Sequence, residues 1–199
     1  MRTAIFGGSF NPVHKGHVNM ARAAYNEMGL DRVIVVPSHI SPQKSEADYI
    51  GVTDRQRFDM CALAFEKEEG FEVSDFEIKR QEKSYTFYTL CHFEKLYPED
   101  KFYLVIGSDS LYYFDRWYCF EEIMKRAELI VMAREEGEYE KLRNKAESLV
   151  KYGKINILDC EAFPISSTIL RQNLSDLKDC TCYLDEKVVK YIVANRLYR

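Results

Sequence analysis

Arg2-Thr3-Ala4-Ile5-Phe6-Gly7-Gly8-Ser9-Phe10-Asn11-Pro12-Val13-His14-Lys15-Gly16-His17 is the stretch that decides the fold. Residues 2–6 are a short apolar run and predict a strand. Residues 7–13 hold two glycines and a proline and predict a loop. Residues 15–28 predict a helix, because His17, Met20, Ala21, Ala24 and Met28 fall on one face at helical spacing. Gly29 then stands where a helix-ending glycine belongs. A glycine-rich turn between a first strand and a helix suits an anion, since free backbone N–H groups and the helix dipole both favour negative charge.

Outward from that unit the pattern repeats. Residues 32–36 contain Val33-Ile34-Val35-Val36, the run of a strand buried on both faces. A long loop follows over 37–53, and Asp54 reads as the cap of a helix to about 66. Strands are expected at 71–78, 101–106, 129–133 and 155–158. Helices are expected at 85–97, 117–126, 139–151, 167–174 and 186–196. Strands alternating with helices imply an α/β protein with a doubly wound parallel sheet and helices on both faces. Ligands of such sheets sit beyond the C-terminal strand ends. Residues 7–17, 107–109 and 164–171 lie at such ends and suggest one composite site.

Composition bounds the function. The 199 residues are 46% hydrophobic and 30% charged, with formal net charge −4, so collagen-like, low-complexity and disordered classes are excluded. An acidic balance argues against a nucleic-acid binder that relies on phosphate contacts. Neither a signal-peptide apolar region nor a membrane-length apolar run is visible. The cysteines, Cys61, Cys91, Cys119, Cys160, Cys180 and Cys182, form no C-x-x-C pair. They read as reduced thiols of a cytoplasmic protein, without structural zinc. One domain over 1–199 is expected, with 164–199 as its C-terminal helical part.

The first loop is not G-x-G-x-x-G, and the acid expected after a second strand is missing, so a dinucleotide oxidoreductase is disfavoured; nor is it a P-loop. His14-x-Gly16-His17 is more informative, since it sets two imidazoles on either side of a glycine at a helix start. It lacks the H-E-x-x-H of a zinc helix. Ser166-Ser167-Thr168 at another helix start, with Arg171 further along the same face, supplies hydroxyls, N–H groups and a guanidinium suited to phosphate.

These residues carry a resemblance. The loop is similar to the G-x-F-x-P-x-H-x-G-H signature of the nucleotidylyltransferase superfamily, with Gly8, Phe10, Pro12, His14, Gly16 and His17 at the fixed positions. Ile165-Ser166-Ser167-Thr168-Ile169-Leu170-Arg171 resembles its I-S-S-T-x-I-R motif, with Leu170 replacing isoleucine. Ser84-Tyr85-Thr86 with Thr89-Leu90, Gly107-Ser108-Asp109-Ser110-Leu111 with Trp117, and Pro37 to Lys44 resemble segments of bacterial nicotinate mononucleotide adenylyltransferases. Asp54-Arg55 with Met60 resembles that family's D-R-x-x-M-x-x-x-A helix, although Met60 stands two positions late.

The resemblance implies a Rossmann-like fold and an enzyme joining nicotinate mononucleotide to ATP. It implies Mg²⁺ bound with the ATP phosphates, and ATP and nicotinate mononucleotide as small-molecule partners, with no nucleic acid and no membrane. Homo-oligomerisation is left open. The catalytic groups implied are His14, His17, Lys44 and Arg171. For ATP they are Gly7, Gly8, Ser9, Phe10, Gly16, Gly107, Asp109, Arg134, Ile165, Ser166, Ser167 and Thr168. For nicotinate mononucleotide they are Asn11, Lys44, Tyr85, Thr86, Trp117 and Tyr118, with Thr86 and the start of a Trp117 helix meeting the carboxylate and Trp117 under the pyridinium ring. A different phosphate acceptor, such as pantetheine phosphate, and a catalytically silent nucleotide sensor are the alternatives.

Overall fold

The structure is a computed structural model that describes residues 1–49, 51–133, 138–159, 163–176 and 178–199. Six strands form one sheet: β1 (Arg2–Gly8), β2 (Arg32–Pro37), β3 (Phe71–Val73), β4 (Lys101–Gly107), β5 (Ala127–Ala133) and β6 (Ile155–Asp159). Among them run α1 (Lys15–Glu27), α2 (Asp54–Phe65), α3 (Phe76–Arg80), α4 (Thr86–Leu96), α5 (Ser108–Tyr112), α6 (Phe120–Arg126), α7 (Tyr139–Leu149), α8 (Ser167–Ser175) and α9 (Glu186–Ala194). The strand order β3-β2-β1-β4-β5-β6 is that of a doubly wound α/β fold, with the reversal between β1 and β4. No helix among the described residues is long and apolar enough to cross a membrane.

The chain divides into two compact units. The first comprises Met1–Gly7, Asn19–Ile34 and Tyr85–Ala162. In it β4 pairs in parallel with β1 (Ile5 opposite Leu104) and with β5 (Leu104 opposite Leu129), and β5 pairs in parallel with β6 (Val131 opposite Ile157). Continuous apolar runs bury Ala4–Phe6, Phe102–Ile106 and Leu129–Ala133, as strands covered on both faces should be. The edge strand β6 is only half-buried. The Asp100 carboxylate, only 8% exposed, lies beside this sheet and accepts from Thr3 Oγ1 (2.6 Å) and Arg32 Nη2 (2.6 Å).

The second unit comprises Gly8–Val18, Val35–Ser84 and Phe163–Arg199. Its core includes Met60, Cys61, Phe65, Leu170, Val188 and Ile192. Tyr191 of α9 donates to Asp59 of α2 at 2.8 Å.

Three sequence expectations change. The strand expected at 71–78 stops at Val73, because Ser74 Oγ accepts the Phe76 N–H and α3 begins there. The cap of α2 is Thr53 rather than Asp54: Thr53 and Gln56 exchange side-chain and backbone hydrogen bonds at 3.2 and 2.9 Å. The helix expected from Trp117 begins at Phe120. A 3₁₀ turn over Phe114–Arg116 precedes it, and Cys119, at φ +54°, breaks the helical path between them.

Candidate active site

The loop after β1 is held almost entirely by groups distant in sequence. Ser9 O accepts from Arg57 Nη1 (2.7 Å), Asn11 O from Arg171 Nη1 (2.9 Å), and Pro12 O from Ser167 Oγ (3.1 Å). The Asn11 amide is 2% exposed. Its Nδ2 donates to Asp48 O (3.0 Å) and its Oδ1 accepts from Tyr198 OH (2.7 Å). Asn11 is among the residues expected to meet nicotinate mononucleotide, and its side chain also braces the loop from within.

Two glycines are required by close approach. A Cβ on Gly16 would lie 2.8 Å from the Phe163 ring and 2.9 Å from His14 Nδ1. A Cβ on Gly8 would lie 2.9 Å from the buried Phe10 ring, which has no room to retreat. The motif spacing G-x-F and H-x-G-H is therefore a packing requirement of this loop.

The fold brings the two imidazoles together. His14 and His17 have ring centroids 3.7 Å apart. Phe163 stacks on His14 at 5.8 Å with planes 6° apart, and Phe10 meets His17 edge-on at 5.1 Å. The backbone N–H of His14 donates to Nδ1 of His17 at 3.2 Å. An N–H cannot donate to a protonated ring nitrogen, so neutral His17 carries its proton on Nε2. Lys15, between them, donates its N–H to Tyr183 O (2.9 Å) and its Nζ to Thr181 O and Cys182 O (3.1 Å each).

α8 delivers the second motif. Ser166 caps it, accepting the Ile169 N–H at 3.3 Å, and Ser166 and Thr168 are exposed at its N-terminus. Arg171 divides its guanidinium between Asn11 O and Thr168 Oγ1 (3.3 Å). This cluster thus holds a helix N-terminus, three hydroxyls or N–H donors, a guanidinium and an imidazole pair: an array for a polyphosphate.

Lys44 lies on an exposed turn closed by its own N–H to Ser41 O (2.9 Å). Its Nζ stands 5.9 Å from the centre of the Tyr49 ring. Asp48 beside it is held below the usual carboxylate range, first by the Ser45 N–H and hydroxyl and then by the Lys44 and Arg171 charges.

Sequence reasoning missed Arg57. Arg55 is 74% exposed and pairs with Asp59 on the surface, whereas Arg57 is fully buried and donates to Ser9, Ser38, His39 and Asp54. The two-position misfit of Met60 was the available signal: Arg57 is the arginine three residues before it. Phe163, Tyr49 and Tyr198 were missed as well, and nothing in local spacing marks them.

In the first unit, Tyr85, Phe87, Tyr88 and Tyr118 form an aromatic group, with Tyr85 and Tyr118 centroids 5.1 Å apart and Tyr88 OH donating to Tyr118 OH at 3.3 Å. Thr86 is the first residue of α4, so a donor array does stand there. Trp117 packs on Phe114 at 5.0 Å, and its buried Nε1 has no hydrogen-bond partner among the described residues. It closes a 3₁₀ turn, so the helix start expected beside it is absent at that position. Asp109 is exposed in the first turn of α5, and Gly107 caps that helix. Arg134 and Cys160 lie outside the described residues. The other five cysteines are free thiols. No group of three or more His, Cys, Asp or Glu among the described residues is arranged to hold a metal ion.

A doubly wound α/β sheet with paired histidines after its first strand defines a class, and residues 5–173 match the cytidylyltransferase-like family. The chain is 37% identical over 199 residues to a protein named "Probable nicotinate-nucleotide adenylyltransferase" in Clostridium botulinum (Loch Maree), covering 98% of both chains. It is 38% identical over 200 residues to one of the same name in Caldicellulosiruptor saccharolyticus, covering both completely. The nicotinic acid mononucleotide adenylyltransferase of Plasmodium falciparum, solved in complex with NaAD, shares the fold at TM-score 0.80 and 22% identity, over 99% of this chain and 97% of that one. The chain is a nucleotidyltransferase of the cytidylyltransferase-like family. Within that family it belongs with the nicotinate-nucleotide adenylyltransferases.

Proposed function

We propose that the enzyme condenses nicotinate mononucleotide with ATP, giving nicotinate adenine dinucleotide and pyrophosphate in NAD biosynthesis. The observation that carries this reading is the joining of the two motifs within one compact unit: Ser167 and Arg171 of the second bond directly to Pro12 and Asn11 of the first. Full-length similarity to the named relatives supports the acceptor. The family match over 5–173 runs through both units and supports reading the chain as one catalytic domain.

The nucleophile is a phosphate monoester with a second pKa near 6, so it is largely ionised at pH 7 and needs no general base. Catalysis is then positioning and charge stabilisation at the α-phosphate and the leaving pyrophosphate. His17 Nε2–H, His14, Arg171 and Lys44 serve as donors to the phosphates. Gly7, Gly8, Ser9, Phe10, Gly16, Ile165, Ser166, Ser167 and Thr168 shape the ATP cradle. Gly107 and Asp109 take the nucleoside, Asp109 through a ribose hydroxyl. Thr86, Tyr85, Trp117 and Tyr118 take the nicotinate ring and its carboxylate. Mg²⁺ bound to the nucleotide would offset phosphate charge.

The test is incubation with ATP, Mg²⁺ and a panel of phosphate acceptors, following pyrophosphate and the dinucleotide. Turnover with nicotinate mononucleotide is expected. Turnover with pantetheine phosphate alone, or ATP binding without pyrophosphate, overturns the reading.

A further inference from the structure

Tyr49 belongs to neither sequence motif, yet it stands between the nucleotide loop and the turn that carries Lys44. Its hydroxyl lies 3.0 Å from Ser9 Oγ and 3.4 Å from Ser38 Oγ, and accepts the Ser41 N–H at 3.2 Å. One oxygen thus joins the loop after β1, the end of β2 and the first residue of the Lys44 turn. That turn is closed by the Lys44 N–H on Ser41 O at 2.9 Å. The Tyr49 ring also lies near two cations: Arg57 Cζ stands 4.7 Å from its centre and Lys44 Nζ 5.9 Å. Arg57 is fully buried and binds Ser9 O, Ser38 O and His39 O, the same backbone that the Tyr49 hydroxyl ties together.

We infer that Tyr49 is a positioning residue, which holds the Lys44 ammonium in register with the nucleotide loop, with Arg57 as its buried backing. The inference rests on the adenylyl-transfer reading above. Its physical basis is that a lysine on an exposed turn has many rotamers, and a transition-state contact is effective only when its geometry is set beforehand. The hydroxyl fixes the turn and the ring face restrains the ammonium. Burial would raise the Tyr49 phenol; its hydrogen bonds with Ser38, Ser9 and Ser41 and the Arg57 charge outweigh it and hold the phenol below its ordinary value.

A double-mutant cycle between Tyr49→Phe and Lys44→Ala tests this, read in kcat, in KM for each substrate and in the dissociation constant of ATP. Tyr49→Phe removes one oxygen and keeps the ring. It is expected to lower kcat by about tenfold and to weaken ATP severalfold, with KM for nicotinate mononucleotide within about twofold. In the Lys44→Ala background it should change neither quantity by more than about twofold, because the group it positions is gone. Ser38→Ala, a small buried change, should give a weaker loss that also vanishes in that background. Losses that multiply, or Tyr49→Phe at wild-type kcat and ATP affinity, overturn the inference. A wild-type protein that binds ATP but forms no dinucleotide overturns the proposed reaction instead, and the ATP cycle still decides the role of Tyr49.

Discussion

The Tyr198 hydroxyl donates to Oδ1 of Asn11 at 2.7 Å, joining positions 187 residues apart inside the second unit. Burial pushes the Tyr198 phenol well above its ordinary range, so it remains a protonated donor through neutral and mildly alkaline pH. Tyr198→Phe leaves a buried amide oxygen without that donor. It should cost about 1–3 kcal/mol of stability and lower kcat severalfold by loosening the loop that bears His14 and His17. Urea unfolding at pH 7 and steady-state kinetics check both. Wild-type values for the two would remove Tyr198 from the account.

His17 gives a sharper test, because its tautomer is set by the His14 N–H. His17→Ala should lower kcat by on the order of 10²-fold, with ATP affinity much less changed. Gln can place an N–H₂ donor near the Nε2 position, whereas Asn places one near Nδ1. His17→Gln should therefore retain more activity than His17→Asn. The reverse order would mean that Nε2 is not the working atom.

Acid stability should report on Asp100. Burial alone would raise its carboxyl, but hydrogen bonds from Thr3, the Met1 ammonium and Arg32 outweigh this and hold it below the usual range. A depressed carboxylate contributes stability that is present above its unfolded pKa of about 4 and is lost as pH falls through the folded value. Asp100→Asn should cost about 2–3 kcal/mol at pH 7, and the gap to wild type should close below about pH 3. A gap of equal size at pH 7 and pH 2.5 would contradict this assignment.

The substrate's ring substituent tests the first unit. The start of α4 at Thr86 presents helix N–H groups and a hydroxyl, which favour a carboxylate over a neutral amide. Exchanging a charged hydrogen bond for a mismatched one gives about 30–150-fold in kcat/KM for nicotinate over nicotinamide mononucleotide. Thr86→Ala should narrow that ratio. Trp117→Ala should weaken both substrates alike, since both rings carry the pyridinium charge. Equal kcat/KM for acid and amide on the wild type would refute the pocket and leave adenylyl transfer standing.

What the sequence made legible was local. The apolar runs of β1, β2, β4 and β5 announce buried strands, and the spacing of His14, Gly16 and His17 announces the loop that packing demands. Its errors have one physical source, partners chosen in three dimensions. Asp54 resembled a helix cap, but it bonds Arg57 and His39 while Thr53 caps. Arg55 and Arg57 look alike along the chain, and only the fold buries the second. Nothing near Cys119 predicts the left-handed residue that delays α6 to Phe120. The partners of the Asn11 amide, Asp48 and Tyr198, were likewise invisible along the chain.

The braces on the first loop also order events in time. His14 and His17 are made early in synthesis, but the donors that shape their loop, Arg57, Ser167, Arg171 and Tyr198, are made after them and across most of the chain's length. Contacts of such high sequence separation close late, because the intervening chain must lose its freedom first. A nascent chain therefore carries the signature well before it can grip a nucleotide. Chains arrested on the ribosome before residue 171 should show no ATP protection of the loop against proteolysis, and chains extended beyond residue 198 and clear of the exit tunnel should show it in full.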